Sequence, residues 1–284
     1  MKNNFDFFSK RNLLIVTIHN KNEVLSPLLE TNLKVTCKGL KKFNTDSLGT
    51  FSGEIERKKS ALDTVREKCL QALKIEGYDL AVATEGSFGN HPTLFFAAAN
   101  EEFILLLDLK NNIEITERVL SLETNFKMAE IRSKEELFEF AKNVHFPSHA
   151  VIIKNAKENW NKIEKGIQNF ETLEAAFTEF TQNQKSCFIE TDMRAHMNPT
   201  RMKIIKEAGE KLIQKIKSTC PSCNYPGFGI VRAEAGLKCE NCNMPTKSTS
   251  AHIYQCKHCD FESQKMFPNG KSTENPQFCD FCNP

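Results

Sequence analysis

Leu80-Ala81-Val82-Ala83-Thr84-Glu85-Gly86-Ser87-Phe88-Gly89-Asn90-His91-Pro92 is the stretch from which the fold is read. Its first four residues form an apolar run with the length and composition of a buried strand. The run then breaks into glycines, an acid and a histidine. In an α/β sheet, ligands sit in the loop beyond a strand's carboxyl end. Glu85 stands at that end, able to accept a proton or hold a metal. Gly86 and Gly89 let backbone N–H groups approach a ligand closely. Ser87 and His91 add a hydroxyl and an imidazole. A plain Gly/Asn/Pro turn between two strands uses the same residue types. The crowding of chemistry into so few positions favours a functional loop.

Upstream, Leu13-Leu14-Ile15-Val16 reads as a second buried strand, running into Thr17-Ile18-His19-Asn20-Lys21. A helix is expected over 22–30 and a strand over 33–37. A polar, glycine-bearing loop follows at 44–54. A helix over 55–75 places Leu62, Val65, Cys69, Ala72 and Leu73 on one face, and Gly77 ends it. Downstream, 94–98 and 103–108 flank Asn100-Glu101 like a hairpin, and 113–120 adds a strand. Ser133-Lys134-Glu135-Glu136 is a capping box that opens a helix to Val144. A strand at 150–153, a helix at 171–181 and a strand at 187–190 follow. That last strand delivers a second polar loop, Thr191-Asp192-Met193-Arg194-Ala195-His196-Met197. Asn198-Pro199 then forms an N-cap and N1 pair for a helix reaching Lys217. Strands alternating with helices predict an α/β domain over 1–217, a mixed sheet flanked by helices. Residues 218–284 form a separate small module.

That module is defined by cysteine. Of eleven cysteines, eight lie in the pairs Cys220/Cys223, Cys239/Cys242, Cys256/Cys259 and Cys279/Cys282. Two such knuckles supply four thiolates, a closed tetrahedral shell for structural zinc. The eight therefore predict two Zn²⁺ sites in a double zinc-ribbon-like fold. A segment this poor in large apolar side chains needs such a staple. Spacing permits sequential pairing of the knuckles or nested pairing. The compact Cys239–Cys259 stretch, with a hairpin over 246–254, favours nested. His252 and His258 read as surface residues rather than ligands.

Charge limits the partners. The 284 residues carry a net charge of +2, which gives no general attraction to nucleic acid or membrane. From residue 218 onward, six Lys/Arg balance six Asp/Glu. Eight thiolates and two Zn²⁺ then add about −4, a poor match for a phosphate backbone. Nucleic acid is therefore not favoured. The longest apolar run, Phe103–Leu107, is too short to span a bilayer. MKNNFDFFSKRN has no apolar core of a secretory signal. These features, with thiols in zinc spacing, predict a cytoplasmic protein.

The strings TDSLGTFSGEIER, ATEGSFGNHP and DMRAHMNPTRM, with the tail CPSCNYPGFG, GLKCENCNMPT, CKHC and CDFCNP, resemble an uncharacterised bacterial family of unknown function. The resemblance spans nearly the whole chain and implies no activity. LLIVTIHNK, GTFSGE and ATEGS show a fainter similarity to the house-cleaning nucleoside triphosphate pyrophosphatases. That similarity implies phosphate contact at Thr17, Asn20 and Lys21, with Mg²⁺ held by acids at Glu54 and Glu85. The Thr-Asn-Lys spacing departs from that family's pattern, and no base-recognition segment is evident.

The polar residues at strand ends carry their own chemistry. Asp46, Glu54 and Glu85 can hold Mg²⁺ or Mn²⁺, which prefer hard oxygen ligands. Thr17, Lys21, Ser87, Arg194 and Arg201 can hold phosphate. Glu85, His91, Asp192 and His196 are the candidates for proton transfer. The leading expectation is a divalent-metal-dependent hydrolase of a nucleotide or other phosphate-bearing small molecule. The alternative is a binding or scaffold protein that uses its zinc tail for protein or nucleic-acid contact.

Overall fold

Leu13, Leu14, Ile15 and Val16 leave β1 (Asn12–Val16) no polar face, so its sheet needs cover on both sides. In the computed structural model, which describes residues 7–45 and 59–284, all four are buried. The chain divides into two compact units, Phe8–Leu212 and one that takes in Ile213–Pro284.

In the first unit, α1 (Asn22–Leu33) follows β1 and buries Leu25, Leu29 and Leu33. Leu33 thus closes a helix rather than opening a strand. Lys34, with φ 56°, turns the chain into the short β2 (Thr36–Lys38). α2 (Ala61–Glu76) starts on Ser60, whose side chain accepts from the Asp63 N–H. It stops at Gly77, whose φ of 75° suits a residue without Cβ. Its face of Val65, Cys69, Ala72 and Leu73 packs on Leu14, Val16, Ala81 and Ala83.

The opening stretch is a longer strand than its composition suggests. β3 (Leu80–Asn90) runs straight through Glu85. β4 (Ala98–Asp108) pairs with all of it, from Leu80↔Asp108 to Asn90↔Ala98. Asn100-Glu101 therefore lies in mid-strand, and the chain reverses over 91–97 instead. β5 (Ile113–Ser121) pairs with β4. The resulting mixed sheet has the order β2-β1-β3-β4-β5, with β1 parallel to both β2 and β3.

A second, antiparallel sheet accompanies it. β6 (Met128–Ile131), β7 (Val151–Lys154), β8 (Ile163–Ile167) and β9 (Cys187–Thr191) take the order β6-β9-β7-β8. α3 (Lys134–Asn143) and α4 (Phe170–Thr181) supply Leu137, Phe140, Leu173 and Phe177 to a core with Ile131, Ile153 and Ile189. Ser133 caps α3 as expected, accepting from the Glu136 N–H. β6 and β8 escape sequence reading because both are short and half polar. α5 (Pro199–Lys217) closes this part of the chain.

In the second unit, β12 (Thr249–Gln255) lies between β10 (Gly229–Ala235) and β13 (Glu262–Met266), antiparallel to both. Two short segments, β11 (Lys238–Cys239) and β14 (Thr273–Glu274), pair in parallel. No helix among the described residues is long and apolar enough to cross a membrane.

Candidate metal centres and the loop cluster

All four C-x-x-C knuckles have the same backbone build. The N–H of the residue after the second cysteine donates to the carbonyl of the first: Asn224 to Cys220, Asn243 to Cys239, Asp260 to Cys256 and Asn283 to Cys279, at 2.8–3.2 Å. Asn224, Asn243 and Asp260 take φ of 60°, 58° and 55°. Asn and Asp tolerate that left-handed conformation better than other residues with a Cβ. The motif is therefore C-x-x-C-[N/D], a stronger signal than the cysteine spacing alone.

The knuckles gather as Cys220, Cys223, Cys256 and Cys259, and as Cys239, Cys242, Cys279 and Cys282. This is interleaved pairing, first with third and second with fourth. It overturns both the nested and the sequential expectation. The antiparallel sheet is the reason. Gly229 at the start of β10 faces Gln255 at the end of β12, which brings the knuckle before β10 to the one after β12. β13 returns toward the opposite end, and Cys239↔Glu274 then sets the second knuckle near the fourth.

The groups fit a tetrahedral metal. Sulfur pairs stand 3.6 Å apart at Cys220–Cys259, Cys223–Cys256 and Cys242–Cys279, and 3.9 Å at Cys239–Cys282. A Zn–S bond of about 2.3 Å implies a tetrahedral edge of roughly 3.8 Å. A disulfide would need about 2.0 Å. The Ser222 and His258 N–H groups donate to Cys220 and Cys256 sulfur at 3.4 Å, as thiolates require. The Cys259 thiol is drawn down to about 7, chiefly by the Phe261 N–H. His258 stacks on Tyr225 and belongs to neither group. Two closed Cys₄ sets thus stand ready for metal ions such as zinc, and they offer no open coordination position for catalysis.

In the unit Phe8–Leu212, the loop after β1 meets the loop after β9. Lys21 is buried, and its Nζ donates to Thr84 Oγ1 at 2.6 Å and to Thr84 O at 3.2 Å. It also stands 3.6 Å from Glu102 Oε1. From the first turn of α5, just beyond the other loop, the fully buried Arg201 grips the same carboxylate at 3.2 Å and reaches the Met193 carbonyl. Burial alone would raise the Glu102 carboxyl, but Arg201 and Lys21 outweigh it and hold it below the usual range. Burial pushes the Lys21 ammonium down to about 8. Gly86 makes this meeting possible, since a Cβ there would lie 2.6 Å from both Arg201 Nη2 and Glu102 Oε2. Its role is room for a buried ion pair, not approach of a ligand to the backbone.

Glu85 faces the other way. It is 4% exposed and receives Lys68 Nζ of α2 at 2.6 Å. That makes it a buried strand acid, not a loop acid, because Lys68 neutralises it. His91 closes the β3–β4 turn, its Nδ1 accepting from the Thr93 and Leu94 N–H groups. Ser87 lies within β3, paired with Glu101. Asp192 has no exposed side-chain surface and is clasped by Arg194 through Nε and Nη2. Thr17 Oγ1 accepts the His19 N–H at 3.0 Å. Asp46 and Glu54 lie outside the described residues. Lys68, Thr84, His19 and Glu102 escape the sequence reading, since each stands within an ordinary helix, strand or loop pattern.

His196 stacks on His19, with ring centroids 5.1 Å apart and planes within 14°. Beside it opens a cavity of about 350 Å³, lined by Asn20, Glu23, Val24, Ala195, His196, Pro199, Met202, Lys203 and Lys206. Among the described residues, only the two cysteine groups bring three or more metal-ligating side chains together. The family model described as Domain of unknown function (DUF6671) matches residues 68–284. No curated protein matches the chain, and nothing found supports the fainter likeness to the pyrophosphatases.

Proposed function

We propose that this chain, which belongs to the family Domain of unknown function (DUF6671), binds a small phosphate-bearing molecule in its α/β part, with two structural zinc ions holding its tail. The assignment of 1–217 to ligand and 218–284 to metal belongs to the same proposal. The observation that carries it is the convergence of residues 17–21 and 192–201 beside the cavity. There Lys203, whose exposed ammonium also stands 3.8 Å from Glu123 Oε1, and Lys206 face a single lining carboxylate, Glu23, with the His196 ring beside them. Cations in a concave site are the ordinary receptors of phosphate.

Binding is favoured over metal-dependent hydrolysis. Among the described residues, Glu85, Glu102 and Asp192 are each held by a Lys or Arg, which competes with Mg²⁺ or Mn²⁺ for these three carboxylates. Thiolate sites of this kind persist in a reducing compartment, which supports the cytoplasm. Inorganic phosphate titrated into the zinc-loaded protein should raise the melting temperature and shift the backbone amide signals of residues 195–206. The double variant Lys203→Gln/Lys206→Gln should weaken that response about tenfold. A full response in the double variant, or none in the wild type, would overturn the proposal. A panel of phosphate compounds with and without Mg²⁺ or Mn²⁺ reads turnover in the same preparation.

A further inference from the structure

The cavity is not uniformly polar, and its lining is graded along one helix. Pro199, Met202, Lys203 and Lys206 follow i, i+3, i+4 and i+7 spacing, so one stripe of α5 forms that wall. Its first turn is apolar and its second cationic. Val24 of α1 and Ala195 add further apolar lining, and the His196 ring, stacked on His19, adds a flat surface. From Met202 to Lys206 the helix rises about 6 Å.

Inorganic phosphate would use only the lysine end. Val24, Ala195, Pro199 and Met202 would then line empty space. We infer that the ligand is a phosphomonoester carrying a single planar ring, seated with its ring against Val24, Met202 and His196 and its phosphate at Lys203 and Lys206. This rests on the phosphate reading above and specifies its ligand. A thioether suits an aromatic ring, since Met sulfur packs favourably at ring edges. A volume of about 350 Å³ is near the lower limit of small-molecule pockets, which suits one ring and its phosphate rather than a polymer. Glu23 and Asn20 add hydrogen-bond acceptors to the lining, suited to N–H or O–H groups on the ring.

The test compares phenyl phosphate, glycerol phosphate and inorganic phosphate by calorimetry on the full-length, zinc-loaded chain. Burying one ring should make phenyl phosphate bind about tenfold or more tightly than either other probe. Met202→Asn and Val24→Asn should each erase most of that margin. The margin itself is read on the wild type, so it does not depend on how the variants fold. If phenyl phosphate binds no better than inorganic phosphate, this inference falls and the phosphate reading stands. If none of the three binds, both fall.

Discussion

Glu85 shows how an identical residue carries opposite predictions in a loop and in a strand. As a loop acid it could be neutralised by mutation without structural cost. As a buried partner of Lys68 it cannot. Glu85→Gln leaves an uncompensated ammonium in the interior, which costs about 3 kcal/mol. For a unit of this size, that lowers the melting temperature by roughly 6–12 °C. The double variant Glu85→Leu/Lys68→Met, which removes both charges together, should recover most of the loss, since an apolar pair of similar volume replaces a buried ion pair well. Thermal denaturation of the three proteins checks this, and an unshifted Glu85→Gln would return the residue to the site. Nothing in Leu80–Pro92 itself distinguishes the two cases. The deciding partner, Lys68, lies on α2, and only the packing of that helix on the sheet brings it in.

The first turn of α5 carries a proton-sensitive cap. Asn198 was legible as its N-cap, and its Oδ1 accepts from the Arg201 N–H at 3.0 Å. The second cap is long-range. His149 Nε2 accepts from the Thr200 N–H at 3.3 Å and lies 2.9 Å from Thr200 Oγ1. Ser148 Oγ gives its proton to the His145 carbonyl, so it must accept from His149 Nδ1–H. The ring is therefore neutral, with Nε2 as its acceptor. Burial, then His145 and Lys203 nearby, lower its pKa. Protonation would destroy the acceptor and place a cation at the positive end of the helix. A histidine with a depressed folded pKa is stabilising above its ordinary value of about 6.5, and that contribution fades as pH falls toward the folded value. Melting temperature should therefore drop between pH 7 and pH 5 more in the wild type than in His149→Gln, which keeps an acceptor and cannot titrate. Equal slopes in the two proteins would remove His149 from the pH response.

For the molecule as a whole, interleaving makes the tail interdependent. Each cysteine group joins one knuckle that precedes β12 to one that follows it, so losing an ion from either group would loosen both ends of the same three-stranded sheet. Elemental analysis should find two zinc ions per chain. Cys239→Ser and Cys220→Ser should each lower zinc content toward zero rather than to one, because metal-binding energy is folding energy in so small a unit. One retained zinc in either variant would show independent sites. The α/β unit, with its own core, should keep its melting transition. From the sequence alone came the strands β1 and β9, the amphipathic α2, the caps at Ser133 and Asn198, and the eight thiolate ligands. All are local patterns, in which a few neighbouring residues decide the outcome. Tertiary structure decided the second sheet, the pairing of the knuckles, the burial of Glu85 and Asp192, and the cavity beside His196. These depend on which residues distant in the chain become neighbours. A buried charge needs its partner, and a metal its four sulfurs, from segments whose meeting the order of strands alone determines.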